Sequence, residues 1–238
     1  MRLLDIHSHI LPAVDDGAPD VETSIELLKM CKEQGITDII ATPHFDASVN
    51  NIEEFEYIVA QALAELKCAS DDSLPNVYTG CEVYYFKGIG KSRGVKSLTL
   101  CGSRYILLEL PNITIDKTVL KDITDMSEVL GLIPIIAHIE RYADEKGFKD
   151  LLKLIAKGGA YAQINAPSLL GSPYRRTVIK LIKRGLISFI ATDTHSVKNR
   201  PPLIREALDV VAQKFGEEYR EMFIKNTEYL YRQTIFKP

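Results

Sequence analysis

The stretch Leu4-Asp5-Ile6-His7-Ser8-His9-Ile10 decides how the rest of the chain reads. The apolar run Arg2–Ile6 has the make-up of a short buried strand. Side chains on a strand repeat every two residues, so His7 and His9 leave it on one face. Two imidazoles on one face, at a strand's C-terminal end, form half of a divalent-metal clamp. The remaining ligands should then lie at equivalent places further along.

Working outward, the same arrangement recurs. TDIIATPH (37–44) ends at His44, and NVYTGCEVYY (76–85) carries Glu82 near its end. RYILLEL (104–110) reaches Glu109 and stops at Pro111. LIPIIAH (132–138) ends at His138, AYAQINA spans 160–166, and LISFIATD (186–193) runs into Asp193-Thr194-His195.

Helical patterns fall between these strands. Asp20 caps a helix with Val21, Ile25, Leu28 and Cys31 on one face, closed by Gly35. Phe55, Ile58, Val59, Ala62, Leu63 and Leu66 mark a second. Further helices are read over Asp116–Gly131, from Phe148 to Gly158, over Tyr174–Arg184, and in two closing segments at about Pro202–Phe215 and Glu218–Arg232. KGIGKSRG (87–94) reads as a loop. Near-continuous apolar strands alternating with helices imply an α/β fold with a parallel sheet covered by helices. Seven such strands suit a closed or nearly closed (β/α) barrel, whose strand ends converge on one mouth. An open sheet would spread these polar residues along a line.

Composition sets the outer bounds. The 238 residues, with a net charge of -3, read as one domain over 1–238 with no basic footprint for nucleic acid. Apolar runs such as LISFIA are far shorter than the roughly 20 residues of a membrane span. No apolar signal region opens the chain, so a cytoplasmic protein is expected. Cys31, Cys68, Cys81 and Cys101 show no C-x-x-C spacing and are expected as small apolar fillers in a reducing compartment.

All five histidines fall at strand ends or just beyond: His7, His9, His44, His138 and His195. With them come Asp16, Glu82, Glu109 and Asp193. Each alone has a plain structural reading, as a loop residue, a paired carboxylate or a helix cap. Together they read as a metal site. Imidazole and carboxylate without thiolate suit Mn, Fe or Zn. Nine ligands exceed what one catalytic ion uses, so two or three ions are expected, which would activate water and clamp a phosphoryl oxygen. Arg141 and Arg200 follow His138 and His195 on loops and suit phosphate. KGIGKS lacks the first glycine of a phosphate loop, since position 85 is Tyr85. No cysteine has an arginine six residues on, so a thiolate phosphatase is unsupported.

In order, DIHSHILPAVDDG, ATPHF, GCEVYY, LLELP, AHIERY, QINAPSLLG and ATDTHSVKNRPP resemble the bacterial PHP-superfamily protein-tyrosine phosphatases of the CpsB/CapC type, from Asp5 to about Pro202. The resemblance implies a distorted (β/α)7 TIM-like barrel, the PHP fold, with a three-metal cluster, usually manganese. It implies that His7, His9, Glu82 and Asp193 hold one ion and that Glu82, Glu109 and His138 hold a second. Asp16, His44 and His195 would hold a third, with Arg141 and Arg200 on the phosphate. The implied reaction is hydrolysis of phosphotyrosine on protein by metal-activated water. The family's usual substrate is the tail of a bacterial tyrosine kinase that controls capsule or exopolysaccharide export. The family's last motif usually begins Ser-Asp, with Asn after the histidine; Thr192 and Ser196 stand there in this chain. The nearest rival is another PHP-type phosphoesterase, such as a histidinol-phosphate phosphatase. A catalytically inactive docking protein is a second alternative, but it would be expected to lack a ligand.

Overall fold

A computed structural model describes residues 2–110 and 114–235 of the chain. The stop expected at Pro111 lies outside the described residues. The strands are β1 (Leu4–Asp5), β2 (Asp38–Ala41), β3 (His44–Phe45), β4 (Asn76–Thr79), β5 (Glu82–Tyr84), β6 (Tyr105–Glu109), β7 (Ile133–Ile136), β8 (Tyr161–Asn165) and β9 (Phe189–Ala191). The helices are α1 (Val21–Glu33), α2 (Ile52–Ala69), α3 (Lys117–Glu128), α4 (Phe148–Ala156), α5 (Arg175–Lys183), α6 (Ile204–Phe215) and α7 (Glu217–Thr234).

All seven expected strand regions are present, but two are interrupted. β2 and β3 are separated at Thr42-Pro43, where proline has no N–H to give to a ladder. β4 and β5 are separated at Gly80-Cys81. A Cβ at Gly80 would lie 2.7 Å from Leu100 Cδ2 and 3.1 Å from its Cα, so glycine lets these segments pack closely without displacing Leu100. These breaks divide the strands into a three-stranded sheet, β1-β2-β4, and a six-stranded one, β3-β5-β6-β7-β8-β9. Every pairing in both is parallel. Beyond β1 the chain keeps touching its neighbours. Thr42 N donates to Ser8 O and His9 N to Thr194 O, each at 2.8 Å. The result is a mixed α/β fold with curled parallel sheets.

The core falls into two clusters. One lies under the helices and includes Leu27, Leu28, Val83, Ile106, Ile123 and Leu151. The other joins Leu4, Ile6, Ile40, Leu107, Ile135, Ala137 and Phe189 to Leu230 of α7. Strands buried on both faces explain the unbroken apolar runs. Asp20 caps α1 as expected, its Oδ1 accepting from Thr23 N at 2.8 Å. Two expectations are corrected. The 87–94 segment holds the 3-10 turn Ile89–Lys91, where Gly90 seats tightly against α3 and a Cβ would meet Asp122 O at 2.3 Å, and the start of a second turn, Arg93–Lys96. Cys68 is exposed and fills no core, unlike Cys31 and Cys81.

Candidate metal centre

The five histidines and four carboxylates meet at the C-terminal side of the strands. Glu82, at the start of β5, is the hub. Its Oε2 lies 3.0 Å from His7 Nε2, 3.3 Å from His9 Nε2 and 3.2 Å from His44 Nδ1. Its Oε1 lies 2.9 Å from His138 Nε2, which is also 3.4 Å from Glu109. Asp193 Oδ1 faces His7, His9 and His195 at 3.4–3.6 Å. Asp16, exposed at the rim, reaches His195 Nε2 at 3.4 Å and His44 Nε2 at 3.6 Å.

Ring orientation tests whether cations fit here. His7 Nδ1 lies 3.2 Å from Gln163 Oε1, His9 Nδ1 2.6 Å from Asp15 Oδ2, and His195 Nδ1 3.0 Å from the Asp193 carbonyl. Each Nδ1 faces an acceptor, so each carries the proton and leaves an Nε2 lone pair pointing inward. The Nε2 atoms of His7 and His9 then face one another at 3.2 Å. Two lone pairs at that distance repel unless a positive charge lies against them. His44 Nδ1, His195 Nε2, Glu82 Oε2 and Glu109 Oε2 are buried without hydrogen-bond partners. Buried polar atoms left open in this way cost free energy, and a divalent ion satisfies them. Three overlapping groups have spacing that suits an ion: His9, Asp16, His44 and His195; His7, His9 and Glu82; and His44, Glu82 and Glu109. The grouping differs from the expected one in that His44 approaches Glu82 and Glu109, and His9 joins the Asp16 group.

The electrostatics follow the same crowding. With no ion against it, His9 gains a proton instead: burial opposes this, but the hydrogen bonds of Asp15 and Glu82 outweigh it and raise the imidazole to about 10, so that a bound ion takes the place of a proton on Nε2. Burial, with His9 beside it, lowers His195 to about 4. Burial also opposes ionising Glu82, yet its histidines hold that carboxyl well below the usual range. Glu109 is pushed up to about 7 by burial and by the Glu82 charge.

The two arginines converge on one atom. Arg141 Nη2 lies 2.8 Å and Arg200 Nη2 2.6 Å from Asp193 Oδ2. Asp193 therefore presents one oxygen to the histidines and the other to the arginines. Its backbone has φ 51°, and His138 has φ 29°. Both are non-glycine residues in the left-handed region, which costs about 1–3 kcal/mol each. Such outliers cluster at functional sites, and here they turn the chain into the mouth just past the ends of β7 and β9.

Residues the sequence reading passed over hold this arrangement in place. Asp15, the neighbour of the expected Asp16, fixes His9 and accepts from His44 N at 3.0 Å. Gly17 lets that loop fold back, since a Cβ there would lie 2.0 Å from His9 O. Gln163 Oε1 also accepts from His138 N at 2.9 Å, and its amide donates to Asn165 Oδ1. Asn165 Nδ2 donates in turn to Asp193 Oδ2 at 2.5 Å. Tyr142 Oη lies 3.3 Å from His138 Nδ1. The available signals were the Asp15-Asp16 doublet and the polar alternation Gln163-Ile164-Asn165 inside an apolar strand.

A parallel α/β fold with a buried histidine–carboxylate cluster and two converging arginines has the make-up of a metal-dependent hydrolase for anionic substrates. The chain belongs to the CpsB/CapC family of capsular polysaccharide synthesis, whose model matches residues 3–232. It is 35% identical over 240 residues to the tyrosine-protein phosphatase YwqE of Bacillus subtilis, covering 99% of this chain and 94% of that one. It is 37% identical to a putative tyrosine-protein phosphatase, CapC, of Staphylococcus aureus, covering 94% and 89%. Among solved structures it superposes with a TM-score of 0.82 and 32% identity on a chain from a study of YwqE and CpsB of Streptococcus pneumoniae, described there as unique metal-dependent tyrosine phosphatases. That match covers 98% of this chain and 95% of the other. A β-aspartyl dipeptidase of Fervidobacterium islandicum shares the fold alone, at TM-score 0.59 and 11% identity.

Proposed function

We propose that this chain is a metal-dependent protein-tyrosine phosphatase. The observation that carries the reading is the inward convergence of histidine lone pairs and carboxylates beside two arginines that share one oxygen of Asp193. Relatives at 35–37% identity carry the tyrosine-phosphatase name.

The ligand assignment we favour uses His7, His9, Glu82 and Asp193 for one ion and Glu82, Glu109 and His138 for a second. Asp16, His44 and His195 serve a third, with His9 between the first and third. Two to three ions are proposed, manganese first, with iron, zinc or magnesium as alternatives. When bound, such ions supply a water of lowered pKa and polarise phosphoryl oxygens. The chain's own residues do the rest. Gln163 and Asp15 keep the imidazole lone pairs aimed inward. Arg141 and Arg200 offer planar donor forks to the phosphoryl group as charge builds on it. No cysteine takes part.

We further read the two sheets as one distorted (β/α)7 barrel, and residues 1–238 as a single domain of the PHP type. The Ser8–Thr194 bridge supports that reading by joining the first strand region to the last. No helix among the described residues is long and apolar enough to cross a membrane. We take the protein to act in the cytoplasm on a phosphotyrosyl protein, the tail of a bacterial tyrosine kinase of capsule or exopolysaccharide synthesis being the first candidate. The test is turnover of a phosphotyrosyl peptide against histidinol phosphate by the metal-loaded protein. Preference for histidinol phosphate would overturn the assignment.

A further inference from the structure

Charge is distributed unevenly along this chain. Residues 151–192 contain seven lysines and arginines and no aspartate or glutamate, although the net charge is -3. Five of the seven, Arg175, Arg176, Lys180, Lys183 and Arg184, belong to α5 and its C-terminal cap. Some surface cations elsewhere are paired, such as Lys153 with Asp150, Arg220 with Asp209 and Lys225 with Glu221. The five of α5, and Lys214 of α6, make no ion pair among the described residues.

Part of this charge is gathered into a hollow. A surface depression of ≈ 460 Å³ is lined by Ser172, Pro173, Arg175, Arg176, Ile179 and Lys214. It holds three cations and no anion. Arg175, one of the lining residues, has an Nε that is buried and has no hydrogen-bond acceptor. A second hollow of ≈ 240 Å³ adjoins it and contains Arg141, Asp193 and Arg200, the arginine end of the metal centre. Ser172 lines both. A polypeptide with its phosphate against Arg141 and Arg200 therefore has a basic depression beside it, reached across the Ser172 wall.

We propose that this depression is a docking subsite for acidic side chains of the substrate polypeptide near its phosphotyrosine. The inference rests on the phosphatase reading and adds a sequence preference to it. Two guanidinium groups and an ammonium without ion partners complement carboxylates. Because the cations are at the surface, the preference is sensitive to salt, which screens over about 10 Å at 0.1 M.

The test compares two phosphotyrosyl peptides of equal length, one flanked by glutamates and one by glutamines, with p-nitrophenyl phosphate as a substrate lacking flanks. The native protein should show a lower KM for the glutamate peptide. R176S combined with K214S should raise that KM about fivefold, as expected for two exposed charge contacts, and leave the glutamine peptide and p-nitrophenyl phosphate unchanged. Raising salt from about 0.05 to 0.5 M should erase the preference in the native protein. Equal KM values for both peptides would overturn the subsite while leaving the phosphatase reading intact. So would a charge-dependent capture by phosphatidylserine vesicles without any peptide preference. Failure of the metal-loaded native protein to turn over any aryl phosphate would overturn the phosphatase reading itself, and the subsite with it.

Discussion

Arg200 Nη2 sits 2.6 Å from Asp193 Oδ2, and that one contact ties the substrate side of the centre to its metal side. Asp193 is 3% exposed, and its other oxygen faces three imidazoles. Replacing either arginine should therefore cost transition-state stabilisation without dismantling the cluster. R200K and R141K, which keep the charge but lose the fork, should each lower kcat/KM on a phosphotyrosyl peptide about 10²-fold, the scale of a lost transition-state donor. Metal content measured on the same samples should be unchanged.

Gln163 orients two ligands at once, His7 through its ring and His138 through its backbone. Q163L keeps the volume and removes the acceptor. Metal affinity, followed by competition with a chromogenic chelator, should fall about 10–100-fold. Asp15→Asn should act similarly through His9. Unchanged affinity in both variants would show that the rings are held by packing alone.

Stripping the protein with a chelator should abolish phosphatase activity and lower the thermal midpoint. The convergent lone pairs and carboxylates then lose their counter-charge, and stabilisation by bound ions, about 2.7 kcal/mol at 100 times Kd, disappears. Replacing Cys31, Cys68, Cys81 and Cys101 singly by serine should leave kcat on p-nitrophenyl phosphate intact. Loss of activity in a variant that remains folded would reinstate a thiolate route.

Glu140, two residues beyond His138, gives a pH-dependent signature of its own. It is fully buried, and its Oε1 accepts from Asn165 N and Ser168 Oγ. Burial raises its carboxyl to about 6 from 4.5, against those hydrogen bonds. Between those values the unfolded chain has released the proton while the folded one still holds it. Stability from this group is thus present below pH 4.5 and falls as pH rises through about 6, by about 2 kcal/mol in all. Denaturant midpoints of E140Q should lack that decline, giving a difference from native protein that grows from pH 4.5 to 6 and then levels.

Leu230 shows what the last helix contributes. It is fully buried against Leu4, Ile6 and Phe189, joining α7 to the strands. L230A should cost about 2–5 kcal/mol in denaturant unfolding, as for other buried leucines. The sequence marks Glu218–Arg232 only as a closing helix, and this contact gives that helix its place in the core.

Much of this protein was fixed by its linear order. The period-two placement of His7 and His9, and the other ligands at the ends of apolar runs, follow from side-chain alternation and from strands buried on both faces. The seven motifs were enough for the family. Contacts between distant residues were not legible. The sequence cannot say that Asp15 turns toward His9 while Asp16 faces the rim, because both lie in one loop whose path depends on Gly17 packing on His9. Nor could it aim Gln163 at His7, 156 residues away, or bring Arg141 and Arg200 to one oxygen of Asp193. Proline and glycine breaks in two strands, and the meeting of two hollows at Ser172, also arise only when the strands are side by side. Ligand chemistry is a property of residue types, whereas the direction of each lone pair and fork is set by what packs behind it.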